Sequence, residues 1–589
     1  MDSRTIKRCA RILHSRKFIL LCFFFILSIF LVLFPILKFE NTKPIFLTSN
    51  VIEIPRIPVS ATSISVKKNI SHKNPKIELI IEDSVLFQDF ILVILAVNSK
   101  VSGFRNFVGD RIHCFYQKET NESGRISYPI LSIDEYDPGG SRWTVRCPSP
   151  PQTRLMSIGR VESDNVAGVN WVAKITENQT AISWGKMLAY EVTFDGEETI
   201  AIFVKGLGLN GERKSDPSQF TCRFGNDFEL FTKAITAAQE VIRCPLPRGV
   251  TKSSISKNNE EIRVTVERTV NSKVHGRNYV VPSIAKLHKN SGNSHLRRNY
   301  KHDLCACTMV WNQAAFIREW IVYHAWLGIG QWFVYDNNSD DELNEVINDL
   351  NSENYNVSRH VWPWIKSQEA GFAHCLLRAR DQCNWVAFFD VDEFYYLLTP
   401  KLKNNIVPGR GRNSLRDMVN NVTLRSPSKG QIKTNCYNFG PSGLKKSPIE
   451  GVAVGYTCRV KANDRHKSIV RPDAVDESLL NRVHHFELKT GFTSRNMPLR
   501  RAVVNHYKYQ VWDVFKTKFV RRVSAYVPDW QEKNSEKSKD RTPGLGTQAI
   551  EPQNWHLKFC DVWDTKLRDF IRANLAFNNS TLLPWYRSA

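Results

Sequence analysis

Residues 384–394 read NWVAFFDVDEF, and they carry the strongest indication of fold class in the chain. Its first half is a run of large apolar residues, the pattern of a strand that is buried on both faces. The run ends at two carboxylates, Asp390 and Asp392. In an extended chain, residues spaced i and i+2 point to one side, so the two carboxylates can converge on one ion. A hard divalent cation that also binds phosphate oxygens suits such a pair, although Asp-x-Asp occurs in many surface loops as well.

Strand and helix patterns alternate on the N-terminal side of this motif. Strands are predicted at 304–310, 331–335 and 359–364, and helices at 313–327, 342–350 and 368–382. This order predicts an α/β domain with a mostly parallel sheet covered by helices. Ligands of such sheets bind beyond the carboxyl ends of the strands. Both Asp336 and the Asp390/Asp392 pair fall at such ends.

The preceding part of the chain, residues 77–282, has a different pattern, in which short β-rich runs alternate with turn signals. It contains a weak internal repeat, in which a cysteine on one strand is followed by Arg-Cys-Pro at the end of the next. We predict disulfides between Cys114 and Cys147 and between Cys222 and Cys244, clamping a β-sandwich-like module, although four cysteines allow three pairings. Several aromatic residues of this region either form a platform for sugar rings or belong to the core. They are Tyr128, Tyr136, Trp143, Trp171 and Trp184.

The remaining cysteines give two further expectations. A disulfide between Cys436 and Cys458 is reasonable, because both flank a Gly- and Pro-rich loop at strand-like positions. Cys375 and Cys383 are eight residues apart in one helical pattern, too far for a local bridge at ~1.5 Å rise per residue.

The N-terminus indicates a membrane anchor. Residues 18–37 carry no charge and are long enough to span a bilayer at ~1.5 Å per residue. Six bases and one acid precede them, a bias that holds the N-terminus in the cytosol. A cleaved signal peptide is the alternative, but its apolar core would be shorter. The sequence thus predicts a cytosolic tail (1–17), a transmembrane anchor (18–37), a stem (38–76) and a lumenal remainder.

Charge and cysteine content limit the partners. The formal net charge is +23, and +18 remains without the six bases and one acid before the anchor. Nucleic acid is not expected as a partner in a lumenal compartment. The positive charge suits an acidic polymer or an anionic membrane surface, and a solvated basic surface with no specific partner is the alternative. Of 13 cysteines, 11 follow the anchor, and this odd number allows a homodimer without requiring one. Eight Asn-x-Ser/Thr sequons, one of them at Asn337, are compatible with a lumenal location of the chain after the anchor.

Three segments together resemble a known family. FVYDN at 333–337, FFDVDE at 388–393 and VNHYK at 504–508 are similar to glycosyltransferase family 92, whose fold is GT-A. The segments KGLGL at 205–209 and SDPSQFTC at 215–222 look like those of the plant β-1,4-galactan synthases in that family. The resemblance implies a carbohydrate-binding module (77–282), a linker (283–302) and a GT-A transferase domain (303–589). It also implies a single-pass type II protein of the Golgi membrane with a lumenal catalytic domain.

The resemblance further implies the reaction and its ligands. The donor would be UDP-galactose, the cofactor Mn²⁺, and the acceptor the β-1,4-galactan side chains of the pectin rhamnogalacturonan I. Asp390 and Asp392 match the metal-binding pair of the family, and His506 matches a third protein ligand, with a purely structural histidine as the alternative. Asp336 would bind the uridine or ribose. Donor contacts are also expected from the helix before the motif, where capping or structural pairing is the alternative, and the candidates are Gln368, His374 and Arg378.

Transfer from an α-linked donor to a β-linked product inverts the anomeric centre and requires one general base, typically Asp or Glu. Asp464 lies between the metal motif and His506, where the family places this base, and Glu450, Glu487 and Asp473 remain alternatives. The same fold with another donor, such as UDP-arabinopyranose or UDP-glucose, or with another acceptor, is a second hypothesis. A glycan-binding protein without catalytic activity is a third.

Overall fold

The computed structural model describes residues 79–97, 112–118, 125–136, 142–161, 169–175, 180–248, 250, 261–270, 277–287, 301–398, 411–482, 484–526, 550–577 and 582–586. The predicted tail, anchor and stem, and most of the predicted linker, lie outside these ranges. Within them, no helix combines the length and the apolar character needed to cross a bilayer. All of the described residues belong to one compact unit, Pro75–Ala589.

The described residues up to Leu287 form strands and one short 3-10 turn. The strands are β1 (Leu79–Leu86), β2 (Phe90–Val97), β3 (Ile112–Lys118), β4 (Arg125–Pro129), β5 (Ser132–Glu135), β6 (Arg142–Pro148), β7 (Thr153–Val161), β8 (Val169–Lys174), β9 (Ile182–Ser183), β10 (Leu188–Phe194), β11 (Thr199–Lys205), β12 (Phe220–Phe224), β13 (Leu230–Lys233), β14 (Thr236–Ala238), β15 (Val241–Pro245), β16 (Ile262–Val270), β17 (Arg277–Val280) and β18 (Lys286–Leu287). We call residues 79–287 the β-rich region. The Pro75–Ala589 unit includes both this region and the chain that follows it, so the predicted division into a module and a transferase domain stays a prediction.

Two sandwiches make up the β-rich region. The sheet β5-β6-β2-β1-β9 faces the sheet β4-β3-β7-β8 across one apolar core, and β10-β11-β15-β14 faces β13-β12-β16-β17 across another. The predicted disulfides are confirmed: Cys114 of β3 is bonded to Cys147 of β6, and Cys222 of β12 to Cys244 of β15. Each bond therefore joins the two sheets of one sandwich.

From residue 301 onward, strands and helices alternate as predicted. The helices are α1 (Ala314–Trp326), α2 (Leu343–Ser352), α3 (Gln368–Ala379), α4 (Ser414–Arg425), α5 (Val452–Gly455), α6 (Trp512–Tyr526) and α7 (Lys566–Leu575). The strands are β19 (His302–Val310), β20 (Gln331–Asp336), β21 (Val357–Val361), β22 (Cys383–Phe388), β23 (Glu393–Leu397), β24 (Lys429–Phe439), β25 (Cys458–Val470), β26 (Thr493–Asn496), β27 (Ala502–His506) and β28 (Val562–Trp563).

These strands form one mixed sheet of order β21-β20-β19-β22-β25-β24-β27-β23. The first four strands are parallel, and successive strands of this part are connected through α1, α2 and α3. The other half contains antiparallel pairs. Strands β24 and β25, which follow each other along the chain, pair antiparallel, and β23 pairs antiparallel with β27. The expectation of a mostly parallel sheet is therefore right for the four strands before the acidic motif and wrong beyond them.

Disulfides also tie the α/β part together. Cys305 and Cys307 of β19 bond to Cys383 and Cys375, which confirms that the last two do not bridge each other. The predicted bond between Cys436 and Cys458 is wrong. Cys436 is buried and free, and Cys458 bonds to Cys560 instead. The β24–β25 register explains the error, because it pairs Cys436 with Asp464 and so leaves the two cysteines offset along the ladder.

The β-rich region and the α/β part share one apolar core, which contains side chains from both. Trp184 is at the junction: its ring stacks on Trp364 with centroids 5.3 Å apart, and its Nε1 donates to the Ile365 carbonyl at 3.2 Å. Trp184, Tyr136 and Trp143 are all buried, so core packing is right for these three and a sugar platform built on them is wrong. Tyr128 is 37% exposed and the side chain of Trp171 lies outside the described part, so for these two both alternatives stay open.

Candidate active site

The acidic motif lies in a turn at the end of β22. The Glu393 amide donates to the Asp390 carbonyl at 3.0 Å, and the Asp390 amide donates to Glu393 Oε2 at 2.9 Å. The extended geometry expected for Asp390 and Asp392 is therefore wrong. The chain must turn here because β22 lies between β19 and β25, whereas the next strand, β23, pairs with β27 at the far edge of the sheet.

Asp392, Glu393 and His506 come together beside this turn. Each offers one ligand atom, and these atoms lie within 4.8 Å of one another, the one such cluster of potential metal ligands among the described residues. His506 is the last residue of β27 and pairs directly with Glu393 of β23. Its Nε2 lies 3.7 Å from Asp392 Oδ2 and its Nδ1 lies 3.6 Å from Glu393 Oε1. We call these three residues the carboxylate–imidazole group.

Two lysines contact the carboxylates of this site. Lys467 of β25 is buried, and its Nζ lies 2.6 Å from Glu393 Oε1 and 3.1 Å from Asp390 Oδ2. Lys518 of α6 places its Nζ 2.9 Å from Asp392 Oδ2. Asp390 is thus bound to Lys467 and is not a member of the carboxylate–imidazole group.

Glu393, Lys467 and Lys518 were not among the site residues predicted from the sequence. Glu393 directly follows Asp392, and this adjacency was a signal that could have identified it. Lys467 and Lys518 lie far along the chain from the motif, and no local pattern links them to it.

The electrostatics of the site follow from burial and these ammonium groups. Burial alone would raise the pKa of Asp392, but Lys518 and His506 hold it well below its usual range. Asp390 behaves in the same way, since burial opposes ionisation and Lys467 lowers its pKa. For Glu393, burial dominates and raises the pKa to about 7, although Lys467 acts in the opposite direction. At neutral pH the site therefore holds two firmly ionised aspartates beside a glutamate that is close to its titration point.

This donor set fits a divalent cation such as Mn²⁺. Carboxylate oxygens and an imidazole nitrogen are ligands that Mn²⁺ accepts. The two carboxylates of the set already attract positive charge, because Lys467 Nζ lies 2.6 Å from Glu393 and Lys518 Nζ lies 2.9 Å from Asp392. Asp392, Glu393 and His506 are the residues that would hold the ion.

Asp336 lies at the end of β20 and is 2% exposed. Its Oδ1 accepts from the Ser339 amide at 2.9 Å, and its Oδ2 accepts from Arg359 Nε at 2.8 Å. The side chain lines a small cavity at the carboxyl ends of β20 and β21. The neighbouring Asn337 is buried, and its Nδ2 donates to the Trp362 carbonyl at 2.7 Å, so this sequon is not accessible in the fold.

The three candidates on α3 occupy different positions. Gln368 is the first residue of the helix. His374 is buried with its Nδ1 2.6 Å from the Tyr335 hydroxyl, and burial holds its pKa well below the usual value. Arg378 lies against the rings of Phe333 and Tyr335. None of the three belongs to the carboxylate–imidazole group, and their role in donor binding stays a prediction.

Asp464 is joined to the site through Asn438. Its Oδ2 accepts from Asn438 Nδ2 at 2.9 Å, and Asn438 pairs with His506 in the β24–β27 ladder. Burial opposes ionisation of Asp464, but the hydrogen bonds from Asn438 and from the Arg465 backbone lower its pKa. The carboxylate is therefore ionised and able to accept a proton.

The alternative bases are each paired with a basic side chain. Glu450 Oε2 lies 2.5 Å from Arg572 Nη2, and Asp473 Oδ2 lies 2.6 Å from Arg471 Nη2. Glu487 Oε1 lies 3.9 Å from Lys214 Nζ. The choice of Asp464 stays a prediction, and its link to Asn438 is what favours it.

Sequence comparison identifies the family. The profile of glycosyltransferase family 92 matches residues 300–542. A family 92 protein of Ricinus communis is 47% identical over 542 residues, which cover 90% of each chain. This chain therefore belongs to glycosyltransferase family 92.

Two other matches are more distant. A galactan β-1,4-galactosyltransferase of Arabidopsis thaliana is 29% identical over 119 residues, 17% of this chain and 22% of that one. A Pyrobaculum calidifontis mannosyltransferase, solved with GDP-mannose and Mn²⁺, matches with a TM-score of 0.22 and 11% identity, over 41% of this chain and 66% of that one.

Proposed function

We propose that this protein is an inverting, metal-dependent galactosyltransferase with a GT-A catalytic domain. In this proposal it extends the β-1,4-galactan side chains of pectin from UDP-galactose. The observation that carries the proposal is the carboxylate–imidazole group of Asp392, Glu393 and His506 in a family 92 chain. The order of the four parallel strands, with Asp336 at one strand end, supports the GT-A assignment. The partial similarity to a galactan β-1,4-galactosyltransferase supports the choice of donor and acceptor.

Asp392, Glu393 and His506 would hold Mn²⁺, with Asp390 as the neighbouring acid kept in place by Lys467. When bound, the ion supplies Lewis-acid stabilisation of the charge on the UDP leaving group. Lys518 adds a second positive charge at Asp392 from α6. Asp336 would bind the uridine or ribose from the end of β20.

The inverting reaction needs one base on the acceptor side. Asp464 would take the proton of the acceptor hydroxyl at a carboxylate oxygen as that hydroxyl attacks the anomeric carbon. Its lowered pKa keeps it ionised before the reaction, and Asn438 Nδ2 orients it.

The N-terminal segment 18–37 would anchor the protein in the Golgi membrane with the catalytic domain in the lumen. Pectin has an acidic backbone, and the surplus of basic residues outside the anchor suits an acceptor attached to such a polymer.

The test is transfer by the full-length protein, with UDP-galactose, UDP-arabinopyranose and UDP-glucose each offered with galacto-oligosaccharides. The measurement is made with Mn²⁺ and with a chelator, and on Asp392→Ala beside the control Asp417→Ala, which changes an exposed carboxylate of α4. We expect transfer from UDP-galactose that requires the metal, is lost in Asp392→Ala and is kept in Asp417→Ala. Preference for another donor would revise the substrate, and glycan binding without transfer from any donor would refute the enzyme.

A further inference from the structure

The turn that follows Asp336 is held by the β-rich region. Arg146 of β6 has its Nη2 2.6 Å from Asp340 Oδ1 and 3.4 Å from the Ser339 carbonyl, and its Nη1 is 3.5 Å from the Asn338 carbonyl. The Arg146 side chain is 9% exposed whereas that of Asp340 is 56% exposed, so a buried guanidinium reaches a turn at the surface. A single guanidinium thus spans residues 338–340, directly after the strand end that carries Asp336.

A second arginine links Asp336 itself to the β-rich region. Arg359 of β21 lies between two acids: its Nη2 is 2.7 Å from Asp134 Oδ1 and 2.6 Å from Asp336 Oδ2. Burial alone would lower the pKa of Arg359, but Asp336 and Asp134 raise it, so the guanidinium stays charged between them. Asp134 belongs to β5, next to the strand that carries Arg146.

These residues enclose one cavity. Asp134 and Arg146 line it from the β-rich region, and Asp336, Ser339 and Arg359 line it from the α/β part. The stacked rings of Trp184 and Trp364 add a further packed contact between the same two parts of the chain. The wall around Asp336 is therefore built in part by the β-rich region.

We propose that Asp134 and Arg146 are positioning residues of the donor site. Asp134 fixes Arg359, and Arg359 in turn fixes the Asp336 carboxylate, while Arg146 holds the turn at 338–340. The β-rich region is then part of the donor-binding structure rather than an attached glycan-binding module alone. This inference rests on the proposed function, in which Asp336 contacts the nucleoside. Without Asp134, Arg359 has only Asp336 as an acidic partner in this bridge and can shift toward it, which leaves Asp336 a poorer acceptor for the donor.

The test compares Asp134→Asn with Asp134→Glu and with the control Glu267→Gln. Glu267 forms an ion pair with Arg223 at 2.5 Å inside the β-rich region, away from the donor turn. We measure KM for the nucleotide sugar, kcat, thermal stability and amide hydrogen exchange of residues 336–341, all on the full-length protein. For Asp134→Asn we expect KM to rise roughly three- to tenfold, the size of a typical net hydrogen-bond contribution. We also expect kcat to stay within about twofold and exchange in the turn to quicken. Asp134→Glu should restore part of the loss, and Glu267→Gln should change neither KM nor exchange.

Unchanged KM and unchanged exchange in Asp134→Asn would overturn the proposal. Equal effects in Glu267→Gln would also overturn it, because they would show a general loss of stability. If the wild type binds no nucleotide sugar, the proposed function fails. The exchange of residues 336–341 still decides in that case whether Asp134 acts on the turn through Arg359 and Asp336, whose Oδ1 accepts from the Ser339 amide.

Discussion

Replacing Lys467 with methionine should make the stability of the protein depend more strongly on divalent cations than that of the wild type. Methionine keeps an unbranched apolar side chain of similar length but removes the ammonium group. Lys467 Nζ lies 2.6 Å from Glu393 Oε1 and 3.1 Å from Asp390 Oδ2. In Lys467→Met these two carboxylates and Asp392 remain together, with Lys518 as the one remaining lysine contact of the site among the described residues.

The expected size follows from these distances. At an effective dielectric constant of about 20, opposite unit charges attract each other by about 6 kcal/mol at the Lys467–Glu393 distance and by about 5 kcal/mol at the Lys467–Asp390 distance. Desolvation of the ammonium offsets much of this, and removing one partner of a buried pair typically costs about 3–5 kcal/mol. Glu393 can relieve part of the repulsion by taking up a proton, because its pKa is already raised to about 7. We therefore expect Lys467→Met to lower the free energy of unfolding by about 3 kcal/mol in a chelator.

The assay is denaturant unfolding of the wild type and the variant, each with EDTA and with saturating Mn²⁺. An ion held by Asp392, Glu393 and His506 would return positive charge to Glu393, one of the two carboxylates that lose Lys467, so the deficit of the variant should shrink in Mn²⁺. The control is Lys566→Met, which removes an ion pair of a 59% exposed lysine and should cost less than about 0.5 kcal/mol in both media. An equal deficit with and without Mn²⁺, or no deficit at all, would show that Lys467 does not neutralise the carboxylates of a cation site.

Three further predictions concern Gly451, Glu319 and Asp464, and the first and the last each have a control variant. Gly451 has φ +109°, and an added Cβ would lie 2.7 Å from the Glu319 carboxylate, so Gly451→Ala should lower the free energy of unfolding by about 2 kcal/mol or more, measured in urea. Gly443→Ala, at φ +81° in open space, should cost only about 1 kcal/mol, and equal costs would contradict the clash. Burial raises the pKa of Glu319 from 4.5 to about 7, so its stabilising contribution is present below pH 4.5 and is lost as pH rises through 7. Over this range the free energy of unfolding of the wild type should fall by roughly 3 kcal/mol relative to that of Glu319→Gln. A difference between the two proteins that does not change with pH would contradict this prediction. Asp464→Asn should lower kcat by about 10²–10⁴-fold with little change in the KM of the donor, whereas Asp473→Asn should leave kcat unchanged. The reverse result would identify Asp473 as the general base instead of Asp464.

Sequence patterns predicted the parallel half of the sheet well. The runs around β19, β20 and β22 are mostly apolar, as expected of buried parallel strands. The predicted helices match α1, α2 and α3 to within three residues at each end. The two disulfides of the β-rich region were also predictable, because each pair repeats the same local pattern. The register of β24 and β25 has no such signal, and for that reason the bond expected between Cys436 and Cys458 was wrong.

The site was only partly predictable for the same reason. Asp392 and His506 stand in recognisable motifs and do come together, 3.7 Å apart. Glu393 entered the group because the chain turns after β22 instead of remaining extended, and periodicity does not report such a turn. Lys467 and Lys518 reach the carboxylates from β25 and α6, so only the tertiary fold places them there.

Calorimetric titration of Mn²⁺ into the full-length protein with UDP present measures whether the carboxylate–imidazole group binds a metal ion. The comparison is between the wild type, Asp392→Asn and the exposed control Asp417→Asn. We expect one bound ion in the wild type and in Asp417→Asn, and affinity lowered by roughly tenfold or more in Asp392→Asn. Binding of Mn²⁺ to Asp392→Asn with wild-type affinity would contradict this expectation.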